Sequence, residues 1–136
     1  MATDFLDSHH RHWHDAELLF REERWANADQ LYGLAAECGL KRLMIEFGMP
    51  HDSSGPSERK DKVHVNRLWR RFEDYRSGHS VGPAFSLPQG EPFEDWSIEQ
   101  RYAATDEISE GQVQAHRTAC EMTRALVKMA TMQGLL

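Results

Sequence analysis

Apolar side chains recur three or four residues apart through four separate stretches of this chain. That is the period of one helix face, and no stretch alternates as a half-buried strand would. The first stretch follows Asp4, a residue suited to an N-cap, and runs to about Arg24. Its stripe is Phe5, His9, Trp13, Ala16 and Phe20, flanked by Leu6 and Leu19. A second helix, with Asn27 as its expected cap, carries Leu31, Leu34, Ala35, Cys38, Leu43 and Ile45. It stops at Gly48, just before Pro50. Gly33 and Gly39 each weaken that helix by about 1 kcal/mol relative to Ala, which suggests places where another helix packs closely.

Residues 51–58 read as a loop rich in Ser, Gly and Pro. A third helix is expected from about Arg59 to Arg76, with Val63, Leu68, Trp69, Phe72 and Tyr75 as its stripe. Residues 77–96 hold prolines and glycines, but also Phe85, Phe93 and Trp96, so an ordered, packed loop is expected there. The last helix starts near Ser109, with Gln112 placed to complete a capping box, and runs to about Gln133. The expectation is one all-α domain over residues 1–136, an up-and-down bundle of four to five helices with a long loop before the last.

A length of 136 residues supports a single core, and 40% hydrophobic content is too apolar for a disordered chain. No apolar run is long enough to span a membrane, and no leader pattern opens the chain. Two cysteines cannot build a disulfide framework, so a reducing, cytoplasmic setting is expected. The net charge of −6 disfavours a general nucleic-acid binder, yet it is unevenly spread. Ser57–His79 holds seven basic and four acidic residues, a local +3, which leaves −9 on the rest. One basic helix on an acidic body could grip phosphate locally; a solvated helix face is the competing reading.

The run Tyr32-Gly33-Leu34-Ala35-Ala36-Glu37-Cys38-Gly39-Leu40-Lys41 resembles the second helix of HEPN domains, where an Ala-rich turn precedes a Glu and, four residues on, a Lys. Leu18-Leu19-Phe20 followed by Trp25-Ala26-Asn27-Ala28 resembles the close of that family's opening helix. Lys62-Val63-His64 to Leu68 resembles the start of its third, and Trp96 with Arg101-Tyr102 resembles its Arg-Tyr dipeptide. The pieces fall in the family's order over nearly the whole chain. The resemblance implies a HEPN-like helical bundle, homodimerisation, and either nucleotide or RNA binding beside a nucleotidyltransferase, or RNA cleavage in a defence or toxin system.

The family's nucleases pair an Arg with a His four to six residues apart, a metal-free arrangement that can stabilise a phosphorane and move a 2′-hydroxyl proton. Only Arg59 and His64 match here, where random placement would give about two matches. Lys60 stands where a small polar residue is usual, and the pair opens the third helix rather than the last. Lys41, Arg67, Arg71, Arg101 and Tyr102 are the candidate nucleotide contacts. Arg67 and Arg71 lie one turn apart and could meet one phosphate, and an Arg fork beside a Tyr ring suits phosphate and base. The structural alternatives are an i,i+4 ion pair of Lys41 with Glu37, Arg101 paired to a buried acid such as Glu37, and Tyr102 filling a gap between helices.

His9, His10, His12 and His14 cluster near the start, and His10 with His14 and Asp7 has the spacing of a zinc helix. No metalloprotease Glu or Cys pair accompanies them, so adventitious binding is the expected limit, with no metal or cofactor. Three functions therefore stay open: an RNA- or nucleotide-binding module, a ribonuclease using Arg59 and His64, and a purely structural partner-binding bundle. A two-fold homodimer is expected, because four Trp and six Phe are more aromatic surface than a small core readily hides.

Overall fold

A computed structural model describes all of residues 1–136. Four α-helices dominate: α1 (Phe5–Arg21), α2 (Trp25–Glu46), α3 (Val65–Ser77) and α4 (Glu110–Met132). The chain is an all-α bundle, and no helix is long and apolar enough to cross a membrane. Asp4 caps α1 as expected, its carboxylate accepting from Asp7 N at 3.0 Å. The α1–α2 connection comes about three residues earlier than the sequence suggested, at residues 22–24. Glu23 takes a left-handed conformation (φ 59°), the chain reverses there, and α2 begins at Trp25 with Arg24 at its N-cap position. Asn27 is inside the helix rather than capping it.

The hub of the bundle is α2, against which α1, α3 and α4 all pack. Its burial runs nearly all round, as expected of a helix with small and apolar residues on every face. The two glycines permit this. A Cβ on Gly39 would fall 2.7 Å from His9 Nδ1 and 2.9 Å from the Thr123 methyl, so Gly39 is where α1 and α4 both close on α2. A Cβ on Gly33 would sit 2.1 Å from the Trp96 ring, so there the close neighbour is the long loop rather than a helix. At its far end α2 closes on Gly48 (φ 100°), with Met49 N bonded to Met44 O and Gly48 N to Ile45 O, a Schellman closure.

Two corrections concern the segment after α2. Residues 51–58 contain a small antiparallel ribbon, β1 (His51–Asp52) with β2 (Gly55–Pro56), tied to the N-terminus by Thr3 N donating to Ser53 O. The third helix begins at Val65, not Arg59; Arg59–Asp61 forms a separate 3₁₀ turn. The reason lies in α2. Glu37 Oε1 accepts from Val65 N at 3.0 Å, so a carboxylate from another helix caps α3 and sets where it starts.

The 77–96 loop packs as its aromatics suggested: Phe85, Phe93 and Trp96 are buried, and the Trp96 indole donates to Asp29 O at 3.0 Å. Its burial changes the dimer argument. None of the four Trp or six Phe is exposed, so the loop covers the aromatic surplus that the homodimer expectation rested on. At α4, Ser109 accepts from Gln112 N, but the Gln112 side chain reaches Asp95 O instead of completing the box. A full capping box forms at Ser97 and Gln100, ahead of the short 3₁₀ helix Ile98–Tyr102.

Candidate functional site

The second-helix Glu and Lys form a buried ion pair. Lys41 Nζ is 3.1 Å from Glu37 Oε2, and both side chains are almost wholly enclosed. Phe5 covers the ammonium, with Lys41 Nζ 5.9 Å from its ring centroid. Lys41 is therefore not a surface nucleotide contact; the i,i+4 pairing is the reading that holds. Glu37 is the more consequential partner. Its Oε2 takes Lys41, and its Oε1 takes both Val65 N and His64 Nδ1, the latter at 3.0 Å. A carboxylate only accepts, so the His64 proton lies on Nδ1. Nε2 makes no hydrogen bond within the protein, and the imidazole is about half exposed.

His64 opens onto a cleft of about 280 Å³ whose other polar residues are Lys62, Asn66, Arg67 and Glu99. Lys62 and Arg67 are exposed and have no acidic partner. Glu99 is held by Ser97, whose hydroxyl donates to it at 2.6 Å; that bond holds its carboxyl below the usual range and keeps it ionised. The cleft thus combines two free cations, one carboxylate and an imidazole of fixed tautomer at the N-terminal end of α3, where the helix dipole favours an anion.

The other expected site residues are placed differently. Arg59 is exposed on its 3₁₀ turn and does not line the His64 cleft. Arg71 is not free to share a phosphate with Arg67. Its guanidinium grips buried Asp61 through Nε at 3.2 Å and Nη2 at 3.0 Å, and Asp74 through Nη1 at 3.0 Å. The Tyr75 hydroxyl donates to the second Asp61 oxygen at 2.6 Å. Desolvation, followed by that carboxylate, pushes the Tyr75 phenol up to about 12. Arg101 does not pair with Glu37, which is already occupied. It lies over the Tyr102 ring at 4.9 Å, and Tyr102 is 78% exposed, so it fills no gap. Arg101 lines a separate cleft with Arg24 and Asn27 at the start of α2.

Sequence reasoning passed over the most deeply buried polar cluster. His116 of α4 lies between Asp29 Oδ1 (2.6 Å from Nδ1) and Asp95 Oδ1 (2.7 Å from Nε2). The Phe93 ring stacks on it, and Gln100 donates to the other Asp29 oxygen. Burial opposes the charge on His116, but the two carboxylates outweigh it and raise its pKa. A polar residue in each of two apolar helix stripes, Asp29 in α2 and His116 in α4, was the available signal. A second cluster joins Glu17, the Tyr32 hydroxyl (2.6 Å) and Arg117 (2.7 Å), tying α1, α2 and α4 together. Both clusters hold elements of the fold to one another, the first joining α2, α4 and the loop that carries Asp95.

His10, His14 and Asp7 form no group able to hold a metal ion, while His9 and His10 meet at Arg124. His9 is buried with Nδ1 donating to Ala35 O at 2.7 Å, whereas His10 and His14 are exposed and Asp7 leans toward Arg11. No protein-family model, curated protein or solved structure gives a significant match to the chain.

Proposed function

We propose that this chain is a HEPN-like bundle that binds RNA or a nucleotide through the cleft at the start of α3. The observation that carries the reading is the Glu37–His64 pair: a buried carboxylate fixes an exposed imidazole beside two unpaired cations, Lys62 and Arg67. Unpaired cations beside a helix N-terminus suit phosphate, and the fixed Nε2 can accept from a hydroxyl or, when protonated, donate to phosphate oxygen. The exposed Arg101–Tyr102 pair offers a cation and a stacking surface to the same kind of ligand. The HEPN assignment, a two-fold homodimer and pairing with a nucleotidyltransferase rest on the family resemblance; light scattering that returns a monomer mass removes the dimer.

Fluorescence anisotropy with single-stranded RNA oligonucleotides, and calorimetry with mononucleotides, test the proposal. Two cationic contacts from Lys62 and Arg67 give an expected slope of about −1.4 in log K against log salt, and Arg67→Ala should reduce it by about 0.7. Absence of affinity at low salt for both ligands would overturn the proposal and leave a structural, partner-binding bundle as the better account.

The same pair favours one second reading, a metal-independent ribonuclease. His64 Nε2 would take the 2′-hydroxyl proton as that oxygen bonds to phosphorus, and the P–O5′ bond would break to leave a 2′,3′-cyclic phosphate. The departing 5′-oxygen would take up a proton from the imidazolium or from water, while Glu37 holds the imidazole and a cation steadies the negative charge on the non-bridging oxygens. Arg67 shares the His64 cleft; Arg59, the partner suggested by the spacing, does not line it. His64→Ala should abolish cleavage in a nuclease, whereas in a binding module it should weaken binding by the one Nε2 contact and leave the salt slope set by Lys62 and Arg67 in place.

A further inference from the structure

Arg124 of α4 is half-buried and has no acidic partner. Every other half-buried arginine grips a carboxylate: Arg42 on Glu46, Arg71 on Asp61, Arg76 on Glu73 and Arg117 on Glu17. Arg124 instead lies over the Trp13 ring, its guanidinium carbon 4.8 Å from the centroid, with Nη1 3.3 Å from His9 Nε2 and 3.5 Å from His10 Nδ1. Because His9 donates through Nδ1 to Ala35 O, its Nε2 is free to accept from Arg124. Desolvation drives His9 down to about 4, and desolvation with Arg124 lowers His10, so both are neutral near pH 7. One corner of the guanidinium is thus anchored and stacked. Its other edge, Nε and Nη2, makes no hydrogen bond within the protein.

Arg124 lines a groove of about 480 Å³ between α1 and α4, within the size range of small-molecule sites. Trp13, Ala125 and Met132 supply apolar wall, and Met132 is 79% exposed. The charged lining is Arg124 and Lys128 against Glu121, one net positive charge, with Glu121 leaning toward Arg117 at 3.7 Å. A single net charge beside an apolar wall matches a monoanion, and Glu121 on the rim disfavours a dianion such as a phosphate monoester.

We propose that this groove binds a small amphipathic monocarboxylate, its flat apolar body against Trp13, Ala125 and Met132 and its carboxylate on the Nε–Nη2 edge of Arg124. The site is separate from the α3 cleft and does not depend on the function proposed there. A planar guanidinium edge pairs with a carboxylate through two parallel hydrogen bonds, and the Trp13 stack holds that edge in place before the ligand arrives.

Titration calorimetry of the full chain with indole-3-acetate, its uncharged amide and adenosine monophosphate tests the assignment. Indole-3-acetate should bind about tenfold or more tighter than the amide, the ratio expected for hydrogen bonds to a charged group. Arg124→Gln should remove that preference. Ala125→Trp, at an exposed position that leaves the core untouched, should block binding of the acid while the melting temperature stays unchanged. Lys62→Ala with Arg67→Ala should leave it intact, which separates this groove from the α3 cleft. Equal binding of acid and amide, full affinity in Ala125→Trp, stronger heat from adenosine monophosphate than from the acid, or no heat from the acid at millimolar concentration would each overturn the proposal.

Discussion

Replacing His116 by Ala should be among the most damaging single changes in this protein, and the cost can be apportioned between its two partners. Asp29 and His116 are fully enclosed, whereas the Asp95 side chain is 65% exposed. Water screens the Asp95 contact, which is worth at most about 1 kcal/mol. The Asp29 contact cannot be replaced by water. Without His116, Asp29 keeps only the Gln100 donor on its second oxygen and stays as a buried charge short of compensation. Removing one partner of such a pair costs about 3–5 kcal/mol. Spread over the unfolding entropy of a chain this long, that is a fall of about 10–17 °C in melting temperature.

The pH profile supplies an independent check on the same residue. The folded pKa of His116 is raised above its ordinary value of 6.5. Its protonation therefore stabilises the fold fully below that ordinary value, and the stabilisation is lost as pH rises through the folded pKa. Urea unfolding of wild type should show stability declining through that window, while His116→Ala should lack that part of the slope. Asp95→Asn should melt within a few degrees of wild type. A loss below about 1 kcal/mol in His116→Ala, or a pH slope shared by wild type and variant, would refute the reasoning.

Glu37→Gln should cost about 3–5 kcal/mol in urea unfolding, because Lys41 is left as an enclosed ammonium without its counter-charge. Arg67→Ala should stay within about 0.5 kcal/mol of wild type, since the side chain is exposed and makes no ion pair. Arg71→Ala should cost roughly 3 kcal/mol, leaving buried Asp61 with only the Tyr75 hydroxyl; equal effects of the two arginines would contradict their placement. Gly33→Ala should lower the denaturation midpoint by the equivalent of about 1–3 kcal/mol as its methyl meets the Trp96 ring. Circular dichroism melts that match wild type would show that the loop yields easily.

Four helices, the Asp4 and Ser109 caps, the Gly48 stop and a packed aromatic loop were legible from the residues, because each depends on local chemistry: an apolar period, a short acceptor side chain, a left-handed glycine, aromatics that avoid water. The Glu37–Lys41 pair was legible too, because four residues is one turn of any helix. What lay beyond reach were the contacts between residues far apart in the chain. The start of α3 is set by Glu37, 28 residues upstream, so periodicity alone carried the helix back to Arg59. Arg67 and Arg71 look equivalent along one helix; only the fold brings Asp61 onto Arg71 and leaves Arg67 free. His116 gave no local sign of the two carboxylates that enclose it, 87 and 21 residues away. Helix period and caps are properties of neighbouring residues, whereas burial and charge pairing belong to the packed whole. The candidate cleft at His64 and the unpaired Arg124 are of the second kind.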